Sequence, residues 1–230
     1  MRPGASRDEY LGLLRDVHEA FLGGRRPPAR PRPVIHESWQ RVRRAGVEPT
    51  VGGLPGEHTD HGGQGDVRSA VPSPLTSLLP LLRAQVEPLL DDDETLLVLA
   101  DERGEVVGRA GGRVMSRRAD ELGFRIGYPW SERAVGTNGI GTALATGAPV
   151  HIHGAEHFCY AQHEWSCAGA PIHDPRTGRV LGVVDLSMRA TEAHPSVVAL
   201  AASLAAQAEF ALRDAHRRSL VKLRSALSSP

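Results

Sequence analysis

The feature that most restricts how this chain folds is residues 136–188, GTNGIGTALATGAPVHIHGAEHFCYAQHEWSCAGAPIHDPRTGRVLGVVDLSM. Thr137 or Asn138 is suited to cap a short helix, because a side-chain oxygen there satisfies amides that the first turn leaves unpaired. Gly147 offers the left-handed exit that closes such a helix. Residues 149–153 then alternate valine and isoleucine with histidine, 166–172 are small and apolar, and 180–188 are rich in β-branched and aliphatic residues. All three are strand patterns. Asp174-Pro175-Arg176-Thr177-Gly178 joins the last two, with proline presetting φ and glycine accepting the reversal. The stretch reads as a helix followed by an antiparallel meander.

The flanks add helices and a hairpin. Leu11, Leu14, Val17 or His18, and Phe21 recur at helical spacing until Gly23-Gly24 stops the pattern. Residues 25–33 alternate arginine with proline, which favours an extended, solvated linker. Residues 34–45 return to helix with Ile35, Trp39 and Val42 on one face, and Trp39 is a packing anchor on this reading. Residues 46–71 are glycine-rich and polar, and the His58/His61 pair there is a weak metal pattern on a loop. A helix is expected over 75–90, a strand over 95–100, a turn at 101–104 and its return strand over 105–111. A helix within 115–126 leads to a loop carrying Trp130. From residue 194 a long helix carries Val197, Leu200, Ala201, Leu204, Ala208 and Ala211 as one apolar seam. The expected organisation is a helical lead-in (1–50), a flexible loop (51–70), a sheet domain (71–192) and a terminal helix (193–230). The fold class is mixed α/β (α+β), an antiparallel sheet of about six strands flanked by helices.

The run 136–187 resembles the GAF sensory domain of bacterial enhancer-binding, sigma-54-dependent transcription activators, the class that includes the acetoin- and glycerol-catabolism regulators. A second piece, IHESWQRVRRAGVEP at 35–49, is similar to the lead-in of the same regulators. The resemblance implies a non-catalytic sensor that binds a small-molecule effector between sheet and loops. It also implies signalling through the last helix, with N- and C-terminal helices pairing two subunits as a homodimer. Trp130, Thr137, Asn138 and His153 are the expected ligand contacts on one side, with His157, Phe158, His163 and Trp165 on the other. The ATPase unit of those regulators is not in this sequence: there is no Gly-x-x-x-x-Gly-Lys-Ser/Thr loop, and the single lysine is Lys222. No helix-turn-helix follows, so the output is expected to pass through a DNA-binding partner protein.

Competing chemistry centres on the histidines and two cysteines. His151 and His153 are two apart on a strand and point to one face, and His157, His163, Cys159 and Cys167 follow closely. A metal or haem gas sensor could be built from them, yet no Cys-x-x-Cys spacing occurs. A Cys159–Cys167 redox switch is the second alternative, and a docking module without ligand is the third. No cofactor is assigned. A Cys-His nucleophile lacks an orienting third group or oxyanion context, so an enzyme is not expected. Lys plus Arg equals Asp plus Glu at 27 each, so no overall field attracts nucleic acid directly. No apolar run reaches bilayer length and no signal-peptide core is present, so no membrane contact and a cytoplasmic location are expected.

Overall fold

The computed structural model describes residues 6–50, 73–91 and 93–227. Helix α1 (Arg7–Leu22) starts in a reciprocal box, Ser6 capping the Glu9 amide while the Glu9 carboxylate accepts from the Ser6 amide. Helix α2 (Pro33–Arg44) opens on Pro33, whose missing amide is no loss in a first turn. Helix α3 (Leu79–Asp91) follows a 3-10 turn at Thr76–Leu78. Next come β1 (Thr95–Asp101), β2 (Val106–Gly111), α4 (Arg113–Glu121), α5 (Glu132–Val135), α6 (Gly139–Thr146), β3 (Val150–His153), β4 (Trp165–His173), β5 (Val180–Arg189) and α7 (Val197–Leu227). The His58/His61 pair lies outside the described residues.

The strands form one antiparallel sheet in the order β2-β1-β5-β4-β3. Among the described residues it has five strands, where about six were expected. Between β3 and β4 the chain makes two 3-10 turns, Gly154–Glu156 and Tyr160–Gln162, because Gly154 takes a positive φ of 55° that breaks strand geometry. The helix expected within 115–126 ends earlier, at Glu121, and Gly123 turns the chain with φ 74°.

Period-two alternation splits the core into two layers. Leu96, Val98, Ala100, Cys167 and Val183 face a cluster that takes in Val17, Ile35, Trp39 and Ile140. Leu97, Leu99, Ala168, Ala170, Val184 and Leu186 face Leu82, Val86, Ala201, Leu204 and Ala208. So α1, α2 and α6 cover one face, while α3 and α7 cover the other. Within the subunit the sheet separates the N- and C-terminal helices, because each carries its own apolar seam and the sheet has two apolar faces. Helix α7 is also pinned to the end of β4, where the Glu209 carboxylate lies 2.8 Å from both the backbone N and Nδ1 of His173.

The α6 region matches the local signals closely. Asn138 accepts from the amides of Ile140 and Gly141 at 2.9 Å, and Gly147 closes the helix with φ 65°. The first turn of α6 lies flush on the sheet: a Cβ on Gly169 would run into the Gly139 carbonyl, and one on Gly139 into the Asp185 carboxyl. Among the described residues, no helix is long and apolar enough to cross a membrane.

Candidate functional site

The eight residues singled out from sequence fall into three places. Trp130, Thr137 and Asn138 surround the α5–α6 junction. Trp130 stacks on Phe124 with ring centroids 3.9 Å apart, and the Asn138 side-chain amide donates to the Trp130 and Gly136 carbonyls at 3.0 and 2.8 Å. Thr137 lies 2.7 Å from the Ser38 hydroxyl. Beside them the buried Glu132 carboxylate accepts from Ser38 at 2.5 Å, from Thr142 at 3.0 Å and from Arg41 Nε and Nη2 at 2.8 Å each. This network fastens α2 to α5 and α6. Arg41→Ala leaves that carboxylate without its cation, and because Arg41 is about a third exposed (side chain 36%) the expected loss is about 1–3 kcal/mol, read by urea unfolding. An unchanged midpoint would show the network to be idle.

His157, Phe158 and His163 gather beneath α1 around His18. The His18 ring meets Trp39, Phe158 and His163 edge-on at 5.2, 6.0 and 4.9 Å, and its Nε2 lies 3.0 Å from the Phe158 carbonyl. His157 Nδ1 lies 2.9 Å from the Gly154 carbonyl. Burial pushes the His157 imidazole down to about 3 and, with His18 adding to it, that of His163 to about 4. Burial lowers His18 as well. These rings are neutral struts, and His18 Nδ1, His157 Nε2 and His163 Nε2 meet no polar partner among the described residues. Trp165 begins β4 in the same core cluster.

Of the eight, only His153 borders a described cavity. That cavity, about 370 Å³, lies where α1, the segment before α2, β3 and the residues just before α7 meet. Arg7 and Tyr10 come from α1, Arg32 from the linker, His151 and His153 from β3, Glu156 from the 3-10 turn, and Ala193, His194 and Pro195 from the lead into α7. Tyr10 stacks on His153 with centroids 5.9 Å apart. Arg32 holds Glu156 in a fork, Nε to Oε1 at 2.7 Å and Nη2 to Oε2 at 2.6 Å, and also donates to the His151 carbonyl. Burial opposes the charge on Arg32, and the pairing with Glu156 outweighs it. Ser166 Oγ sits between His151 Nε2 (2.7 Å) and His153 Nδ1 (3.1 Å), so it donates to one ring and accepts from the other. Burial first holds both rings neutral, at about 4; the next cause is the partner histidine and then Arg32 for His151, and Arg32 and then Arg7 for His153.

Sequence reasoning missed Arg7, Tyr10, Arg32 and Glu156 as a group. No local pattern marks them, since Arg32 belongs to an arginine-proline run that reads as a solvated linker and meets Glu156 across 124 residues.

Both cysteines are free and buried. Burial pushes the Cys159 thiol up to about 12 and that of Cys167 well above its usual value, so neither is a thiolate near neutrality. Cys159 Sγ points at the Val135 carbonyl, 3.2 Å away, whereas Cys167 lies on β4 beside Ser187. Asp185 on β5 is fully buried next to them. Its Oδ2 accepts from Ser187 at 2.5 Å, its Oδ1 has no hydrogen-bond partner among the described residues, and burial raises its carboxyl to about 7. Among the described residues, no group of three His, Cys, Asp or Glu side chains is arranged to hold a metal ion.

The profile of the MimR N-terminal domain matches residues 16–210. The chain belongs to the MimR N-terminal domain family. Within it, the chain is 38% identical over 200 residues to the propane 2-monooxygenase operon transcriptional activator MimR of Mycolicibacterium smegmatis, covering 86% of this chain and 33% of the relative. It is 36% identical over 197 residues to the acetoin dehydrogenase operon transcriptional activator AcoR of Bacillus subtilis, covering 85% and 32%. The chain thus spans about a third of the length of these curated relatives, and half of another. It corresponds to the N-terminal sensory region of such regulators. The E. coli DhaR(N)–DhaL crystal structure shares the fold, with a TM-score of 0.66 at 21% identity over 86% of this chain and 69% of that one. The GAF-like mixed α/β architecture therefore stands on both sequence and structure.

Proposed function

We propose that this MimR-type domain is a non-catalytic sensor that binds a small effector in the Tyr10–Arg32–His153 cavity and reports its occupancy through α7 to transcription. One observation carries the reading: the same cavity touches α1, β3 and Ala193, His194 and Pro195, the residues that lead directly into α7. A ligand that draws these walls together favours one setting of α7 by its differential affinity for that setting. The volume lies within the usual range for small-molecule sites. Relatives named for propane, acetoin and glycerol operons are consistent with a two- to four-carbon effector. Trp130, Thr137, Asn138, His157, Phe158, His163 and Trp165 then act as the frame behind His153, through the bonds described above.

The distal part of α7 exposes Phe210 (69%), Leu220 and Val221, which fits a second copy of the chain packing there as a homodimer in the cytoplasm. The name of the DhaR(N)–DhaL complex supports a protein partner for such domains. The output would run through a DNA-binding unit or partner rather than through direct nucleic-acid contact.

A thermal-shift screen of two- to four-carbon alcohols, ketones, diols and carboxylates tests the reading, because a ligand selective for the folded state raises its apparent stability. A hit is expected to raise Tm, to slow amide exchange at residues 193–200, and to lose its effect in His153→Ala. Stabilisation that survives His153→Ala, or leaves α7 exchange unchanged, would remove the cavity from the sensing role.

A further inference from the structure

We propose that the ligand of this cavity is a small carboxylate, with its oxygens held by the Arg7 guanidinium and the Tyr10 hydroxyl and its short apolar tail against Ala193 and Pro195. This rests on the cavity being the effector site and adds the ligand's chemical class. The argument is a balance of charge and hydrogen-bonding capacity. The charge of Glu156 is already met: Oε1 takes Arg32 Nε at 2.7 Å, and Oε2 takes Arg32 Nη2 at 2.6 Å and the His153 amide at 3.0 Å. Arg32 is neutralised by the same fork. Ser166 is occupied by the two β3 imidazoles.

Arg7 is different. It donates to the Thr191 carbonyl and pairs with no carboxylate among the described residues, so the cavity keeps one uncompensated positive charge. Arg7 and Tyr10 are three apart on α1 and present both donors from one face. What the wall lacks is an acceptor carrying a negative charge, and a carboxylate supplies it where an amide, alcohol or ketone does not.

A second consequence concerns protons. The imidazoles of His151 and His153 sit neutral among Arg7, Arg32 and Tyr10, with His194 across the cavity and Glu156 committed to Arg32. A bound anion offsets the positive neighbours, so one of these rings takes up a proton as the complex forms. Carboxylate binding therefore tightens as pH falls from 8 to 6, reaching only the upper edge of the range over which the fold loses stability.

Isothermal titration calorimetry of the full chain with sodium propionate, propionamide and inorganic phosphate separates the cases. Propionate is expected to bind about tenfold or more tighter than propionamide, and more tightly at pH 6 than at pH 8 with proton uptake visible on changing buffer. Arg7→Gln, at the exposed first turn of α1, is expected to weaken propionate about tenfold while circular dichroism stays unchanged. Phosphate binding in place of propionate would replace the carboxylate with a bare oxyanion and overturn the proposal. So would equal affinity for propionamide, or a propionate affinity that Arg7→Gln leaves unmoved. Each of those results leaves the effector site itself standing as long as the ligand that does bind shifts the His153 ring resonances. If bound ligand leaves the His153 ring untouched, the site reading falls with the ligand class.

Discussion

Lowering the pH from 6.5 toward 4 is expected to unfold this domain, steeply and cooperatively. Four imidazoles are held neutral by burial, His151, His153 and His163 at about 4 and His157 at about 3, against 6.5 in the unfolded chain. A group whose folded pKa is depressed contributes stability that is complete above its unfolded pKa and disappears as the pH falls toward the folded one. Asp185 works in the opposite sense. Its carboxyl is raised from 3.8 to about 7, so its contribution is complete below 3.8 and is lost as the pH climbs through about 7. Near pH 5 the unfolded chain therefore binds a net of about three more protons, four imidazoles less one carboxyl, and the folding equilibrium shifts by at least roughly a hundredfold per pH unit. His18 adds to the same direction, since burial lowers it too.

Because His18 and His163 meet under α1, the undocking of α1 should lead the transition. Thermal melts followed by circular dichroism between pH 4.5 and 8 check this, and a Tm at pH 4.5 within a few degrees of that at pH 7 would refute it. His163→Gln is expected to flatten the slope by about one proton, and Asp185→Asn to gain on the parent progressively as the pH rises from 3.8 to about 7, with the gain level above that.

The parts of the fold that could be read from sequence are those set by neighbours in the chain. Asn138 and Gly147 bracket α6 as expected, since capping is decided within a turn. The β4–β5 turn and the strands it joins follow from local φ preferences and from apolar, β-branched runs that are buried almost throughout. Trp39 was legible as an anchor from the helical spacing of Ile35, Trp39 and Val42, all of which are buried. What was not legible is set by assembly. Nothing in the seams of α1 and α7 says which face of the sheet each will take, because both faces of β1 are apolar. The cavity was hidden for the same reason: His153 was visible through its strand pattern, but Arg7, Tyr10, Arg32 and Glu156 become neighbours only once α1 and the linker fold over the edge strand β3.

Trp39→Ala is expected to cost about 3–5 kcal/mol, enough to leave the domain marginal at 37 °C. The side chain is 1% exposed, packs against His18 and Phe21 with ring centroids 5.2 and 5.0 Å away, and gives its Nε1 proton to the Glu156 carbonyl at 2.8 Å. The loss combines the transfer energy of a large ring, the hole left between α1 and α2, and a buried carbonyl without its donor. Trp39→Phe separates these contributions. It keeps most of the packing but not the N–H, so about 1–3 kcal/mol is expected from the missing hydrogen bond and the smaller ring.

The site gives this substitution a second readout. Glu156 is held from one side by Trp39 through its carbonyl and from the other by Arg32 through its carboxylate, and it in turn accepts the His153 amide. Freeing the carbonyl loosens the 3-10 turn that sets the back wall of the cavity. Trp39→Phe, which remains folded, should therefore weaken effector binding more than a stability loss of its size predicts, whereas Arg41→Ala, on the Glu132 side of α2, should lower stability without touching binding. Urea unfolding paired with ligand titration on the two variants decides the matter. If both lower binding equally, the cavity responds to global stability alone and Trp39 has no special hold on it.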